Sequence, residues 1–268
     1  MTSIFRYKHS DISYLHKGSG HLIMLVHGFA EDSRALRSVY DAIPDTYHVV
    51  LPDLPGSGKS SPDVEITSGI DGMADAILAL ADELGSEQFS CFGHSMGGYV
   101  TLAIGEKAPD KLSVFGLLHS HALPDAEEKK KGREEGIENI KQSGGFNYLK
   151  ALIPGFFGKQ FSVDHPDTIE QQIEQARDFP DEALISYLTA MKNRPDRRKV
   201  LEDSKVPVLF IIGEEDKAAP KEIMLDQVSL PERAAFTVLK NSGHMGMMEE
   251  AETFNQAVLN FLNKFLGK

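Results

Sequence analysis

Six short apolar runs recur along the chain, and helix-like stretches separate them. The runs are Leu22 to Val26, Tyr47 to Leu51, Phe89 to Phe92, Leu112 to Leu118, Val206 to Ile212 and Ala235 to Leu239. They are rich in Val, Ile, Leu and Phe and show little polar alternation. That pattern marks strands covered on both faces, unlike the in–out alternation of a sheet with one wet side. Between the runs the period becomes that of a helix. Ile70, Met73, Ile77, Ala81 and Leu84 share one face, with Ser68 as the expected N-cap and Gly85 as the stop. A second helix is expected from Met96 to a stop before Pro109. A last one carries the stripe Phe254, Val258, Phe261, Leu262 and Phe265. Strand–helix alternation predicts an α/β fold, a mostly parallel sheet flanked by helices. Ile4 to Tyr7 and Ile12 to Leu15 read as an antiparallel hairpin ahead of it.

The rhythm breaks between residues 122 and 200, where no strand candidate occurs. Asp125 to Ile140 is crowded with charge, including Lys129, Lys130, Lys131, Glu134 and Glu135, and reads as a solvated helix face. An apolar patch from Phe146 to Phe157 follows. Two further helices are expected, at about Thr168 to Arg177 and Asp181 to Lys192. The expected organisation is therefore a core of residues 1–121 and 201–268, with a helical insertion of residues 122–200 over the sheet edge.

Composition removes several functions. The chain has 40 acidic and 28 basic residues, a net charge of −12, and such a surface repels phosphate backbones. No nucleic-acid partner is expected. A single cysteine, Cys91, cannot form an intramolecular disulfide or a cysteine-based zinc site, and its place in a central strand reads as an inert core position. The ten histidines lack metal-ligand spacing on one helix. The first residues carry no signal-peptide pattern, and no apolar stretch approaches the ~18 residues of a membrane span. A cytoplasmic protein without a membrane partner is the expectation, and its oligomeric state is not legible. Gly56-Ser57-Gly58-Lys59-Ser60 ends like a phosphate loop, but Asp53 stands where such a loop needs its first glycine.

The chemistry points elsewhere. Gly93-His94-Ser95-Met96-Gly97 matches G-x-S-x-G, directly after one expected strand and directly before an expected helix. A sharp strand-to-helix turn strains its central residue, and glycines two positions away avoid the resulting clash. The turn would lift the Ser95 hydroxyl above the sheet. A serine hydroxyl needs a base, and the base needs a carboxylate to orient it. His244 follows the run ending at Leu239. Asp216 follows the run ending at Ile212, with Glu214 and Glu215 as alternative acids in the same loop. The order Ser95, Asp216, His244 is the Ser…Asp…His order of one fold in particular.

With these motifs the chain resembles the α/β-hydrolase fold superfamily, and within it the lidded serine esterases and lactonases. Val26-His27-Gly28-Phe29 resembles the oxyanion loop of that family. Asp53-Leu54-Pro55-Gly56-Ser57-Gly58-Lys59-Ser60 resembles its turn after the fourth strand. The resemblance implies an α/β-hydrolase fold with a helical lid at 122–200, and a Ser95–His244–Asp216 triad acting through an acyl-enzyme. Oxyanion contacts come from the N–H groups of Phe29 and Met96, and Gly28 lets the backbone approach the substrate. No metal and no organic cofactor is implied. The partner is a small ester-like molecule: an ester, thioester or lactone.

His119 and His121 follow a strand and are expected at the pocket rim, either as substrate contacts or as structural hydrogen bonders. Phe156 and Phe157 are expected in an apolar acyl pocket. His27 reads as a loop brace, and Asp53 as a turn brace. His94 is expected to point into the packing beneath the elbow. Dehalogenases and epoxide hydrolases of the fold carry aspartate where this chain has Ser95. Carbon–carbon bond hydrolysis or a cofactor-free lyase reaction with the same triad is an alternative, as is a small-ligand signalling receptor of the same fold.

Overall fold

The computed structural model describes residues 1–267. Eight strands form one sheet: β1 (Thr2–Tyr7), β2 (Ser10–Lys17), β3 (Leu22–Val26), β4 (His48–Pro52), β5 (Phe89–His94), β6 (Leu112–Leu118), β7 (Val208–Gly213) and β8 (Ala234–Leu239). Their order is β1-β2-β4-β3-β5-β6-β7-β8, parallel from β4 to β8 and antiparallel at the β1/β2 and β2/β4 pairings. This is an α/β-hydrolase fold.

The apolar runs become strands with small shifts that have local causes. β7 begins at Val208 and not at Val206, because Pro207 has no N–H to give the ladder; its carbonyl instead accepts from Phe115 N at 3.2 Å. β8 is the edge strand, so only one side is well covered and Phe236 is 54% exposed. The helix Ile70–Glu83 starts one residue later than Ser68 would set it. Gly69, in extended conformation, precedes it, while Ser68 closes the short turn Val64–Thr67. Gly85 ends the helix in the left-handed region at φ +70°, as a C-terminal glycine does.

The helix Met96–Lys107 is buried from Met96 to Gly105, so it runs beneath the sheet's centre. The final helix, Ala251–Phe265, buries Phe254, Val258, Phe261 and Leu262, and Phe261 meets Phe92 of β5 edge to face. Cys91, the neighbour of Phe92 in β5, instead meets Thr101 of the helix Met96–Lys107, so the two helices cover opposite faces of the sheet.

Between β6 and β7 no strand occurs among the described residues, and the main helices are Glu127–Ser143, Gly145–Leu152, Lys159–Asp164, Pro166–Gln175 and Asp181–Lys192. Arg197 N donates to Ala122 O at 2.9 Å, so the segment leaves and rejoins the core at one point. Tyr187 reaches down from it to Pro55 O at 2.7 Å. The reading of Asp125 to Ile140 as a solvated face holds for Lys131, Glu134 and Glu135, which are exposed, and fails for one stripe. Asp125, Gly136 and Ile140 are buried and Lys129 and Arg133 are partly so, because helical spacing of three or four residues turns this stripe inward. Among the described residues no helix is long and apolar enough to cross a membrane.

Candidate active site

The elbow is built by steric exclusion. Ser95 stands at φ +50° and ψ −114°, a conformation that a side chain resists. A Cβ on Gly93 would lie 2.0 Å from Gly97 O, and one on Gly97 would lie 2.2 Å from Val26 O. Only glycine fits at either position. Hydrogen bonds hold the turn: Ser95 N donates to Leu118 O at 2.9 Å, and Ser120 Oγ donates to Ser95 O at 2.7 Å. Ser95 is left partly exposed, on the wall of a cavity of about 290 Å³. That size is near the lower end of small-molecule pockets, ~300–1,000 Å³.

His244 lines the same cavity, and its Nδ1 lies 2.8 Å from Asp216 Oδ2. The second oxygen, Asp216 Oδ1, accepts the N–H groups of Ala218 (2.8 Å) and Ala219 (2.9 Å). His119 Nδ1 approaches Oδ2 as well, at 3.0 Å. Four donors thus surround the carboxylate, which is all it can accept. Burial alone would raise the Asp216 carboxyl, but the two imidazoles hold it well below the usual carboxylate range. An ionised Asp216 keeps the His244 proton on Nδ1 and leaves Nε2 free to act as a base.

The structure places His119 and His121 off the cavity wall. His119 is fully buried, with a left-handed backbone at φ +50°. It stacks on Phe254, and its Nε2 has no partner among the described residues. Burial pushes its pKa down to about 4, so it serves Asp216 as a neutral donor. His121 accepts from Leu123 N at 3.2 Å, and burial with nearby Arg194 and Lys129 pushes it down to about 3. Phe156 does line the cavity, with its ring 5.4 Å from that of His244. Phe157 does not: it stacks on Phe161, 5.5 Å away, inside the helical segment.

Phe29 lines the cavity beside Ser95, while Met96 is buried beneath it. Among the described residues neither Phe29 N nor Met96 N has a protein acceptor, and Met96 opens a helix, where the first N–H groups are free. Gly28 is not on the wall; its N–H donates to Glu31 Oε2 at 2.7 Å.

Glu31 is the residue that sequence reasoning missed. The same Oε2 lies 2.9 Å from His94 Nδ1, and His94 Nε2 lies 2.9 Å from the His244 carbonyl. A carboxylate and a carbonyl are both acceptors, so both ring nitrogens of His94 must donate. His94 is therefore an imidazolium. Burial opposes that charge, but the Glu31 carboxylate overrides it and carries the His94 pKa up. For Glu31, burial likewise opposes the charge and His94 overrides it, so its pKa is lowered. This buried ion pair ties the Gly28–Phe29 loop to the His244 loop.

The other loops are braced as firmly. His27 donates through Nδ1 to Gly28 O (2.8 Å), and its Nε2 accepts Leu54 N–H (2.9 Å). Asp53 accepts from Ser33 N (2.8 Å) and Lys59 N (3.0 Å) and so holds the turn after β4. Glu249 gathers the N–H groups of Gly158, Gly243 and Met245, and His244 N donates to Phe156 O at 2.6 Å. Of the alternative acids, Glu214 pairs with Lys221, and Glu215 accepts from Lys159 N at 3.0 Å. Burial raises the Cys91 thiol to about 12, which leaves it unreactive.

His119, Asp216 and His244 could each turn one ligand atom toward a common point, since these atoms lie within 4.8 Å of one another. Both imidazoles, however, address one carboxylate oxygen at hydrogen-bond distance. A cation there would displace the protons that make those bonds.

A strained serine at a strand end and a histidine hydrogen-bonded to a buried carboxylate thus share one cavity. Residues 23–257 match the alpha/beta hydrolase family, and the chain belongs to that family. Among similar proteins is the dihydrolipoyllysine-residue acetyltransferase component of an acetoin cleaving system from Pseudomonas putida, 29% identical over 90% of this chain. The chain spans 63% of that relative's length. A 2-hydroxy-6-oxononadienedioate/2-hydroxy-6-oxononatrienedioate hydrolase from Paraburkholderia phymatum is 28% identical, over 94% of this chain and 91% of its own. Among solved structures, a thermophilic esterase from Thermogutta terrifontis, with malate bound, superposes with a TM-score of 0.92 at 27% identity, covering 99% of both chains. An enol-lactonase from Burkholderia xenovorans shares the fold, with a TM-score of 0.88 at 21% identity, covering 97% of this chain and 100% of its own.

Proposed function

We propose that this protein is a serine hydrolase that cleaves a small carboxylic ester, thioester or lactone through an acyl-enzyme. The observation that carries the reading is Ser95, held in a strained conformation on the wall of the cavity that His244 also lines, with Asp216 2.8 Å behind it. The strained turn leaves the Ser95 side chain partly exposed on that wall.

Ser95 Oγ attacks the carbonyl carbon as His244 Nε2 takes its proton. Among the described residues Ser95 Oγ has no hydrogen-bond partner, and the pair closes when substrate arrives, as is common for catalytic contacts. The oxyanion is met by the N–H groups of Phe29 and Met96, of which one such donor contributes ~3 kcal/mol to the transition state. The protonated His244 then gives its proton to the leaving oxygen or sulfur as the bond between it and the carbonyl carbon breaks, and the neutral imidazole takes a proton from water, which attacks the acyl-enzyme and releases the acid and Ser95. Residues 122–200 act as a helical lid, since Leu152, Phe156, Leu188 and Met191 from that segment wall the cavity. Exclusion of water strengthens each electrostatic contact beneath. The Thermogutta terrifontis esterase, 27% identical, supports this class.

Carbon–carbon bond hydrolysis is the second reading, favoured by the Paraburkholderia relative, named for a 2-hydroxy-6-oxononadienedioate. A phosphonate probe, an acyl-ester panel and that dienedioate separate the two. Ser95→Ala is expected to stay folded, lose labelling, and lose ester turnover by about 10⁴-fold or more. Labelling of another serine refutes the assignment.

A further inference from the structure

The cavity beside Ser95 carries charge of the opposite sign to the chain around it. The protein holds 40 acidic against 28 basic side chains. The cavity wall holds Lys129, Arg133 and Lys217 against one carboxylate, Glu31. Glu31 is already balanced by His94. The three cations therefore have no counter-charge on the wall.

Each keeps donor capacity. Lys129 Nζ gives one N–H to Ala218 O at 2.6 Å, and Lys217 is exposed; neither forms an ion pair among the described residues. Arg133 pairs with Asp125 through Nε, and with a long Nη2 contact at 3.5 Å. Asp125 is shared, however: Arg194 Nη1 donates to its Oδ1 at 2.6 Å. One carboxylate thus serves two guanidinium groups, and Arg133 Nη1 has no acceptor among the described residues. Arg194 itself lies 4.0 Å over the ring of Tyr99, a wall residue, and its buried Nη2 is unpartnered. The remaining wall is largely apolar, which strengthens the field these charges project into the cavity.

We infer that the substrate is an anion: an ester-type acyl group ending in a carboxylate, held by Arg133 and Lys129 with Lys217 at the rim, while its carbonyl meets Ser95. This rests on the serine-hydrolase reading above. Two carboxylate oxygens match a free Arg133 N–H and a free Lys129 N–H, and charge-assisted bonds of this kind are the strong ones. The cavity, at about 290 Å³, admits a short diacid chain and not a large anion.

The test uses two p-nitrophenyl esters of adipic acid, one with its far carboxylate free and one capped as the methyl ester. The free acid is expected to show kcat/KM about tenfold or more above the capped ester at low salt. The ratio should fall as sodium chloride screens the charges. Arg133→Met should bring it toward one. Lys217→Met, at an exposed position, should narrow it in a variant whose folding is not at stake. Binding of adipate and of dimethyl adipate to Ser95→Ala, by calorimetry, reads the cationic wall without turnover. A ratio near one together with equal binding of the two adipates overturns the proposal and leaves the hydrolase reading intact. Preferential adipate binding with no turnover of either ester upholds the anion site and counts against the hydrolase reading alone.

Discussion

Glu31→Gln probes the ion pair that lies behind Ser95 and His244 in the candidate site. In the wild type one oxygen, Glu31 Oε2, accepts from Gly28 N at 2.7 Å and from His94 Nδ1 at 2.9 Å. Glutamine keeps the size and offers one oxygen to the same donors, but removes the charge. The His94 imidazolium is then buried without a counter-ion and gives up a proton. One of its two 2.9 Å contacts, to residue 31 or to His244 O, becomes lone pair against lone pair. Breaking a buried ion pair by removing one partner costs about 3–5 kcal/mol, and the retained acceptor places this change near the lower end, at about 3 kcal/mol.

The cost has a pH signature. The folded pKa of His94 is raised above its ordinary 6.5, so the pair's stabilisation is present below that value and is lost as pH rises through the folded pKa. Glu31 is lowered from 4.5, so its share is present above that value and is lost as pH falls through the folded one. The gap between wild type and variant is therefore widest between about pH 4.5 and 6.5 and narrows on the alkaline side. Urea unfolding followed by circular dichroism at pH 5.5 and pH 9 measures it; the chain has no tryptophan to report by fluorescence. A gap below about 1 kcal/mol at pH 5.5, or one that does not change by pH 9, refutes the charged pair. Ester turnover should fall with stability, because the Gly28–Phe29 loop loses its anchor.

Two further outcomes are expected. Asp216→Asn should lower kcat by about 10⁴-fold, since the amide selects the wrong His244 tautomer, whereas Glu214→Gln and Glu215→Gln should each cost less than about tenfold; a larger loss at Glu215 moves the acid role to it. Phe156→Ala should shift the preference between short and medium acyl chains by about tenfold, while Phe157→Ala, away from the cavity, should lower stability by about 3 kcal/mol and leave the preference unchanged; kcat/KM across an acyl-length series with thermal melts checks both.

Local chemistry determined much of this protein. The strands follow from apolar runs long enough to be covered on two faces, and Ile70 to Leu84 follows from a helical period. The elbow follows from three spaced residues, because a Cβ at Gly93 or Gly97 would clash with the backbone of the turn and its neighbouring strand. Asp216 and His244 could be nominated because each lies in the loop just past a strand run, but the sequence left Glu214 and Glu215 beside Asp216 as rivals, and only the folded loop brings Asp216 to His244. Periodicity carries no such information inside the loops themselves. Neither His119 nor His121 faces the substrate cavity, yet both follow the same strand, and only the packing of Phe254 and Asp216 around His119 decided that it supports the acid. The Glu31–His94 bond spans 63 positions and the His119–Asp216 bond 97, so no spacing rule connects them. Lys129 and Arg133 look like any solvated charge until the Asp181–Lys192 helix and the acid loop close against their face of the helix. Burial then turns two ordinary surface cations into part of a cavity wall, and burial is a property of the whole fold.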